Sequence, residues 1–161
     1  MRSALAIGCL GVLLLAVPVQ AGQRSESKVV SIRLVSKTVS TRVLVDRAPK
    51  DEPSTGDVQQ AKLDLRNAVA QLGRPKGALI GTGVVVGRVT SLAQVRIRMN
   101  VIAKLPGGTF RAAGTYAAQR SVDIPVVGGT GAFANAGGML RVDTFAPDAR
   151  SALMTYRLRL P

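Results

Sequence analysis

The chain contains no histidine, and its one cysteine, Cys9, sits in an apolar run near the N-terminus. A Ser-His-Asp triad, a Cys–His nucleophile pair and a histidine-based metal site therefore have no residues to be built from. Acid–base chemistry falls to nine Asp and Glu, the lysines, and two tyrosines, Tyr116 and Tyr156. A different chemistry is suggested by the glycine cluster Gly128-Gly129-Thr130-Gly131, which follows the apolar residues Ile124, Val126 and Val127. A phosphate-cradling dinucleotide loop needs a helix opening at its glycines. Residues 132–138 instead hold Asn135, Gly137 and Gly138 and run into another strand-like pattern, so the cluster reads as a sharp chain reversal with Phe133 plugging one end of the core. Asp123, near Arg120, reads as surface charge balance. Neither a cofactor nor a metal is expected, and no residue takes a catalytic role from its type and spacing alone.

The elements that must position these residues are strands. Val30, Ile32 and Leu34 alternate with Ser31 and Arg33; Val95, Ile97, Met99 and Val101 alternate with Arg96, Arg98 and Asn100; Met154, Tyr156, Leu158 and Leu160 alternate with Thr155, Arg157 and Arg159. Period-two alternation of this kind gives a strand one apolar and one polar face, and no stretch sustains an apolar repeat of 3.6 residues. Further strands are predicted over about 39–46, 58–66, 78–89, 109–118, 121–127 and 138–145, with a loop, or a short helix around 67–72, after the second of these. Eight or nine short antiparallel strands around one core either close or leave long edges unpaired. Seventeen glycines favour a small closed barrel over a two-sheet sandwich, since closure needs bends and close backbone approaches. The fold class is all-β, a single antiparallel barrel of about eight strands over residues 28–161.

At the N-terminus, Arg2 precedes an uncharged stretch that lasts to Arg24, with a breaker at Pro18 and small residues at Val19-Gln20-Ala21. This is the pattern of a signal peptide cleaved after Ala21, with residues 22–27 as a disordered lead-in. An uncleaved transmembrane anchor is the competing reading, but the apolar stretch is shorter than the roughly 20 residues a bilayer crossing needs. The protein is expected to be secreted or periplasmic, and removal of Cys9 leaves packing alone to stabilise the mature domain. The full chain carries a net charge of +13. Such a charge attracts anionic surfaces non-specifically. With no Trp, two Tyr and three Phe there is little material for base stacking, and a nucleic-acid partner is not expected.

From Gly114 onward the chain reads GTYAAQRSVDIPVVGGTGAFANAGG. Its segment from Pro125 through Gly128, Gly129, Gly131 and Phe133 to Gly138 resembles the allene oxide cyclase and dirigent barrel superfamily, in which an aliphatic strand end is followed by Gly-Gly-Thr/Ser-Gly, an aromatic and a second glycine turn. Asp46-Arg47, Pro49 and Gly56-Asp57 resemble positions early in bacterial members, and Tyr156-Arg157-Leu158-Arg159-Leu160 resembles the family's closing strand. The matches span about residues 43–161. Two departures stand out: residues 41–45 carry no acid where the plant cyclases have a glutamate, and Gly137 replaces the arginine of the dirigent Ala-Arg-Gly turn.

The resemblance implies a calycin-like barrel whose apolar pocket orients a small hydrophobic or phenolic ligand and guides its cyclisation or coupling, an isomerase-like activity if it is enzymatic. A non-catalytic ligand-binding or cell-envelope protein on the same scaffold is the alternative. By the same resemblance Tyr116, aligned with the Gly-Pro-Tyr of the cyclases, is the leading ligand-binding candidate, followed by Asp57 and Tyr156, and the barrels are expected to form homotrimers. Each residue also has a purely architectural reading: Tyr116 as barrel filling, Asp57 as a turn residue bonding local backbone, and Tyr156 as core.

Overall fold

The computed structural model describes residues 27–47, 52–117, 119–144 and 150–161. The apolar N-terminal run and the lead-in up to residue 26 lie outside the described residues. Eight strands follow one another: β1 (Lys28–Val45), β2 (Val58–Asn67), β3 (Leu79–Ser91), β4 (Arg96–Leu105), β5 (Gly108–Ala117), β6 (Ser121–Gly129), β7 (Gly137–Thr144) and β8 (Ser151–Leu160). Each pairs antiparallel with its neighbour in sequence, and β8 returns to pair with β1, closing the barrel. Among the described residues no helix is long and apolar enough to cross a membrane.

The two strands expected over 30–34 and 39–46 are one. The polar residues between them, Ser36, Lys37 and Thr38, remain in register with Leu65, Asp64 and Leu63 of β2, and the irregularity at Thr38 and Ser40 is a bulge within a continuous strand. A buried hydrogen bond from the Ser36 hydroxyl to the Ala152 carbonyl, 3.2 Å, ties this polar stretch to β8. Loss of apolar alternation here marks a bulge.

Val95, expected on the apolar face of a strand, instead lies in the turn before β4 with φ +45° and is exposed, and elsewhere alternation sorts the side chains as expected. Ile32 and Leu34, Leu63 and Leu65, Val101 and Ala103, Phe110 and Ala112, Ile124 and Val126, Leu140, and Met154, Tyr156 and Leu158 point inward and are buried. The intervening arginines Arg33, Arg98, Arg111, Arg141, Arg157 and Arg159 are exposed.

The two ends of the barrel differ. At one, the turn at 106–107 meets the segment 130–136, and the loop 68–78 after β2 is tied to Arg33 of β1. Phe133, carried on the 3-10 turn Gly131–Phe133, is buried there and packs edge-on to Phe110, 4.8 Å between ring centroids. The segment after β2 is a loop with a bridge between Gln71 and Arg74, and the buried Asn67 amide gathers it by donating to the Gln71 carbonyl at 2.9 Å and the Arg74 carbonyl at 3.0 Å. This end is closed. Residues 46–47 and 52–57 and the turn 92–95 border the other end, where the inward residues are half-buried.

Gly131 has φ +61°, and a Cβ there would strike the Gly107 carbonyl, whose oxygen accepts from the Ala132 N–H at 2.8 Å. Gly129 serves the same reversal for a different reason. Its backbone is not left-handed, and what requires glycine is the approach of the Phe133 and Thr109 carbonyl oxygens. By contrast, Gly137 has ordinary angles and open space where a Cβ would sit. Gly131→Val is therefore expected to lose about 1–3 kcal/mol of stability, while Gly137→Val stays within about 0.5 kcal/mol of the parent. Urea unfolding of the two variants checks this, and equal midpoints would contradict it.

Candidate functional site

Toward the end bordered by residues 52–57 and 92–95, inward positions of six consecutive strands carry Ala61, Val85, Met99, Tyr116, Val122 and Val142, all partly buried and packed on the core. Register places them around one wall: Ala61 opposite Val85, Val85 opposite Val101, Met99 opposite Gly87 and Gly114, Val122 opposite Val142. The wall is apolar. Its bulk is reduced by Gly83, Gly87 and Gly114, which share the inward face with these residues.

Gly114 decides where Tyr116 lies. A Cβ at 114 would collide with the Tyr116 hydroxyl and ring, so the tyrosine folds back along its own strand into the space the glycine leaves. Partial burial raises the phenol above its usual value near 10. At neutral pH it is a hydrogen-bond donor facing an apolar wall, a group suited to orienting a carbonyl or phenolic oxygen.

On the rim, a groove of about 290 Å³ is lined by Val43, Asp46, Glu52, Pro53, Asp57, Gln59 and Val89. Asp57 is buried, and its two carboxylate oxygens accept from the Arg47 N–H at 2.8 Å and the Ser54 N–H at 2.7 Å. Backbone bonds between residues 56–57 and Val89 pin the connection to β3. The acid thus folds the rim that it lines. Val89 faces Ile97 across the ladder and Ile97 faces Tyr116, so Asp57 and Tyr116 belong to the same end of the barrel.

Tyr156 is apart from them. It is 1 % exposed, lies 4.4 Å from Phe110 by ring centroids, and faces Leu140 and Ile32 across its two ladders. Its hydroxyl has no partner among the described residues, and burial pushes the phenol well above its usual range. Ring burial is worth about 1.5–3 kcal/mol and each aromatic pair about 0.5–1.5 kcal/mol. Against an orphaned hydroxyl costing about 1–3 kcal/mol, the ring wins, and the residue is core.

Met99, Val85, Gln59 and Gly114 escaped the sequence reading. Their inward parity was visible, but which half of each strand faces the open end follows only from register. The most voluminous groove described, about 560 Å³, is on the outer face of β1, β6, β7 and β8. There Asp123 does balance charge, through Arg141 at 3.7 Å rather than Arg120, and Arg141 also meets Asp143 at 3.0 Å.

The fold is a closed eight-stranded antiparallel β-barrel, with the aromatics Phe110, Phe133 and Tyr156 packed together toward one end. Within that fold the family is specific: the model of the Dirigent-like protein family matches residues 36–160, and the chain belongs to it. No curated protein matches the chain by sequence. Among solved structures, a pterocarpan synthase dirigent protein is similar at 18 % identity and a TM-score of 0.66, covering 85 % of this chain and 86 % of its own. Pyocyanin demethylase is similar at 18 % identity and a TM-score of 0.63, covering 80 % of this chain and 99 % of its own. The Diels–Alderase AbmU from Streptomyces koyangensis is similar at 18 % identity and a TM-score of 0.61, covering 86 % of this chain and 71 % of its own. At these identities the likeness is one of fold.

Tyr156→Phe removes only the orphaned hydroxyl, and thermal melts should show a variant as stable as the parent or more stable, by up to about 1 kcal/mol. The raised phenol gives the sign of the pH effect. Once pH passes the ordinary tyrosine value near 10, the unfolded chain releases a proton that the folded chain keeps, so stability present below that pH declines above it. The variant should lose that part of the alkaline decline. A variant less stable than the parent would show that the hydroxyl has a partner.

Proposed function

We propose that the open half of the barrel binds a small hydrophobic or phenolic molecule and guides its cyclisation or coupling. The observation that carries this reading is the set of partly buried apolar residues Ala61, Val85, Met99, Val122 and Val142 that share the inward face with Tyr116. The wall selects one folded conformer of a flexible substrate, and the phenol orients a polar atom of that conformer. Holding reacting atoms in a near-attack arrangement can accelerate a reaction with little acid–base machinery. This fits a site whose nearest buried acid has both oxygens bonded to backbone amides. Similarity in fold to a pterocarpan synthase dirigent protein and a Diels–Alderase supports an isomerase- or cyclase-like activity of this kind.

The second reading is a non-catalytic ligand-binding or cell-envelope barrel. It is favoured by the filling of the closed half by Phe110, Phe133 and Tyr156, which confines any ligand to the open half. Native mass spectrometry of the protein purified from its own cells tests both readings: a bound apolar or phenolic compound is expected. Tyr116→Phe preserves shape and should weaken binding of that compound by about tenfold or less, the worth of one neutral hydrogen bond. Met99→Trp, which fills the open half, should abolish binding. Conversion of the compound by the parent favours catalysis, unchanged release favours the carrier, and undiminished binding by Met99→Trp contradicts both.

We further propose that the protein is exported to the periplasm or beyond and that its barrels associate as homotrimers. Export rests on the uncharged run between Arg2 and Arg24 and on Val19-Gln20-Ala21. The native protein should begin at Gly22 or within a few residues of it, and an intact Met1 on N-terminal sequencing would contradict cleavage. Association rests on the family and on the exposed apolar residues Val29, Ile102 and Val127 of the outer face, and light scattering that returns a monomer would contradict it.

A further inference from the structure

No Asp or Glu occurs between Asp64 and Asp123, so β3, β4 and β5 contain no acid at all. Their outward faces carry Arg88, Arg96, Arg98, Lys104 and Arg111, all exposed. Arg88 on β3 is directly opposite Arg98 on β4. Like charges in directly opposed cross-strand positions are destabilising, and among the described residues no carboxylate offsets the repulsion. The ion pairs of Arg141 with Asp123 and Asp143 are on the far side of the barrel, and among the described residues neither Arg88 nor Arg98 has a carboxylate partner.

Between the two arginines is a depression of about 250 Å³ lined by Val58, Val86, Arg88, Arg98 and Asn100. Asn100 is held in a particular sense. Its Oδ1 accepts from the Arg111 guanidinium at 3.3 Å, which leaves its Nδ2 hydrogens available as donors. Each polar side chain that lines it is therefore a donor: two guanidinium forks and an amide nitrogen, with two valines as the apolar floor. A site of donors only, with uncompensated positive charge, is complementary to a group of acceptors only.

We propose that this cradle on the outer face binds a tetrahedral oxyanion, a phosphate or sulfate group, gripped between Arg88 and Arg98 and bonded by Asn100. Guanidinium forks match such oxygens in pairs, and the acid-free face around them concentrates anions at the surface. The site is separate from the interior of the barrel and stands whether or not the interior binds a ligand. The anion then removes a repulsion that the empty protein carries.

The test is thermal melting of the purified protein in sodium phosphate against sodium chloride at matched ionic strength. Phosphate should raise the melting temperature saturably, by an amount on the order of a few degrees. Arg98→Thr, which keeps a strand-forming residue, should melt higher than the parent in chloride and lose the phosphate response. Arg159→Thr, an exposed arginine on β8, should keep that response. Chloride matching phosphate, or an Arg98→Thr variant that retains the response or melts below the parent in chloride, would overturn the proposal. Sedimentation with phosphatidylcholine vesicles, with and without phosphatidic acid, identifies the source. Co-sedimentation that depends on phosphatidic acid and on Arg98 supports a lipid headgroup, and a phosphate response without it supports a soluble phosphate.

Discussion

The ladder between β1 and β8 is the interaction on which the rest depends. Ten residue pairs, from Lys28 with Leu160 to Lys37 with Ser151, join the first strand of the chain to the last and turn an open sheet into a barrel. Closure gives every strand a neighbour on both sides and fixes which of its alternate residues face in. It also sets a narrow interior, since eight strands enclose little more than the side chains that fill them. Shifting β8 by one residue would turn Met154, Tyr156 and Leu158 outward and bring Thr155, Arg157 and Arg159 inside. Burying two guanidinium groups without partners costs far more than one ladder can return, so register and closure enforce each other.

Within that narrow interior, contents are set by a contest between bulk and its omission. In the closed half the aromatics Phe110, Phe133 and Tyr156 meet in edge-on and tilted contacts and leave no role for a ligand. Toward the open half the same inward positions are taken by Gly83, Gly87, Gly114 and Ala61, and the aliphatics beside them are only partly covered. Buried polar groups are few and are spent on backbone. Asn67 gathers the loop that seals one end, and Asp57 folds the connection that rims the other. Each polar side chain buys order in an irregular segment whose backbone groups would otherwise lack partners.

Strand type and facing were legible in the sequence because a period of two survives in every element except around residues 36–40. There polar residues mimic a turn, and one strand reads as two until the pairing of Ser36 and Lys37 with both β2 and β8 is seen. The chain reversal after β6 was legible from its glycines, yet the reason for glycine differed between positions. Gly131 needs its left-handed angle and Gly129 the close passage of two carbonyls, a distinction that depends on contacts more than twenty residues away in sequence. The candidate site was legible only in part. Tyr116 and Asp57 could be named from motifs, whereas Met99, Val85 and Gln59 become site residues through shear, which no local pattern records.

The two tyrosines show how far residue type falls short of role. Both are on inward positions of strands, both have phenols made harder to ionise by burial, and both sit in otherwise apolar surroundings. The difference lies in the residue two positions earlier on the same face. Behind Tyr156 stands Met154, itself buried, and ahead of it Leu158, so the ring has no room along its own strand and is driven across the barrel against Phe110. Behind Tyr116 stands Gly114, and the ring folds back over the bare Cα with its hydroxyl at the level of the wall. One tyrosine becomes a wedge that fills the barrel, and the other a polar edge folded over its own strand. In a chain without histidine, the omission of a single side chain at 114 thus determines where the barrel's interior can offer a hydrogen bond.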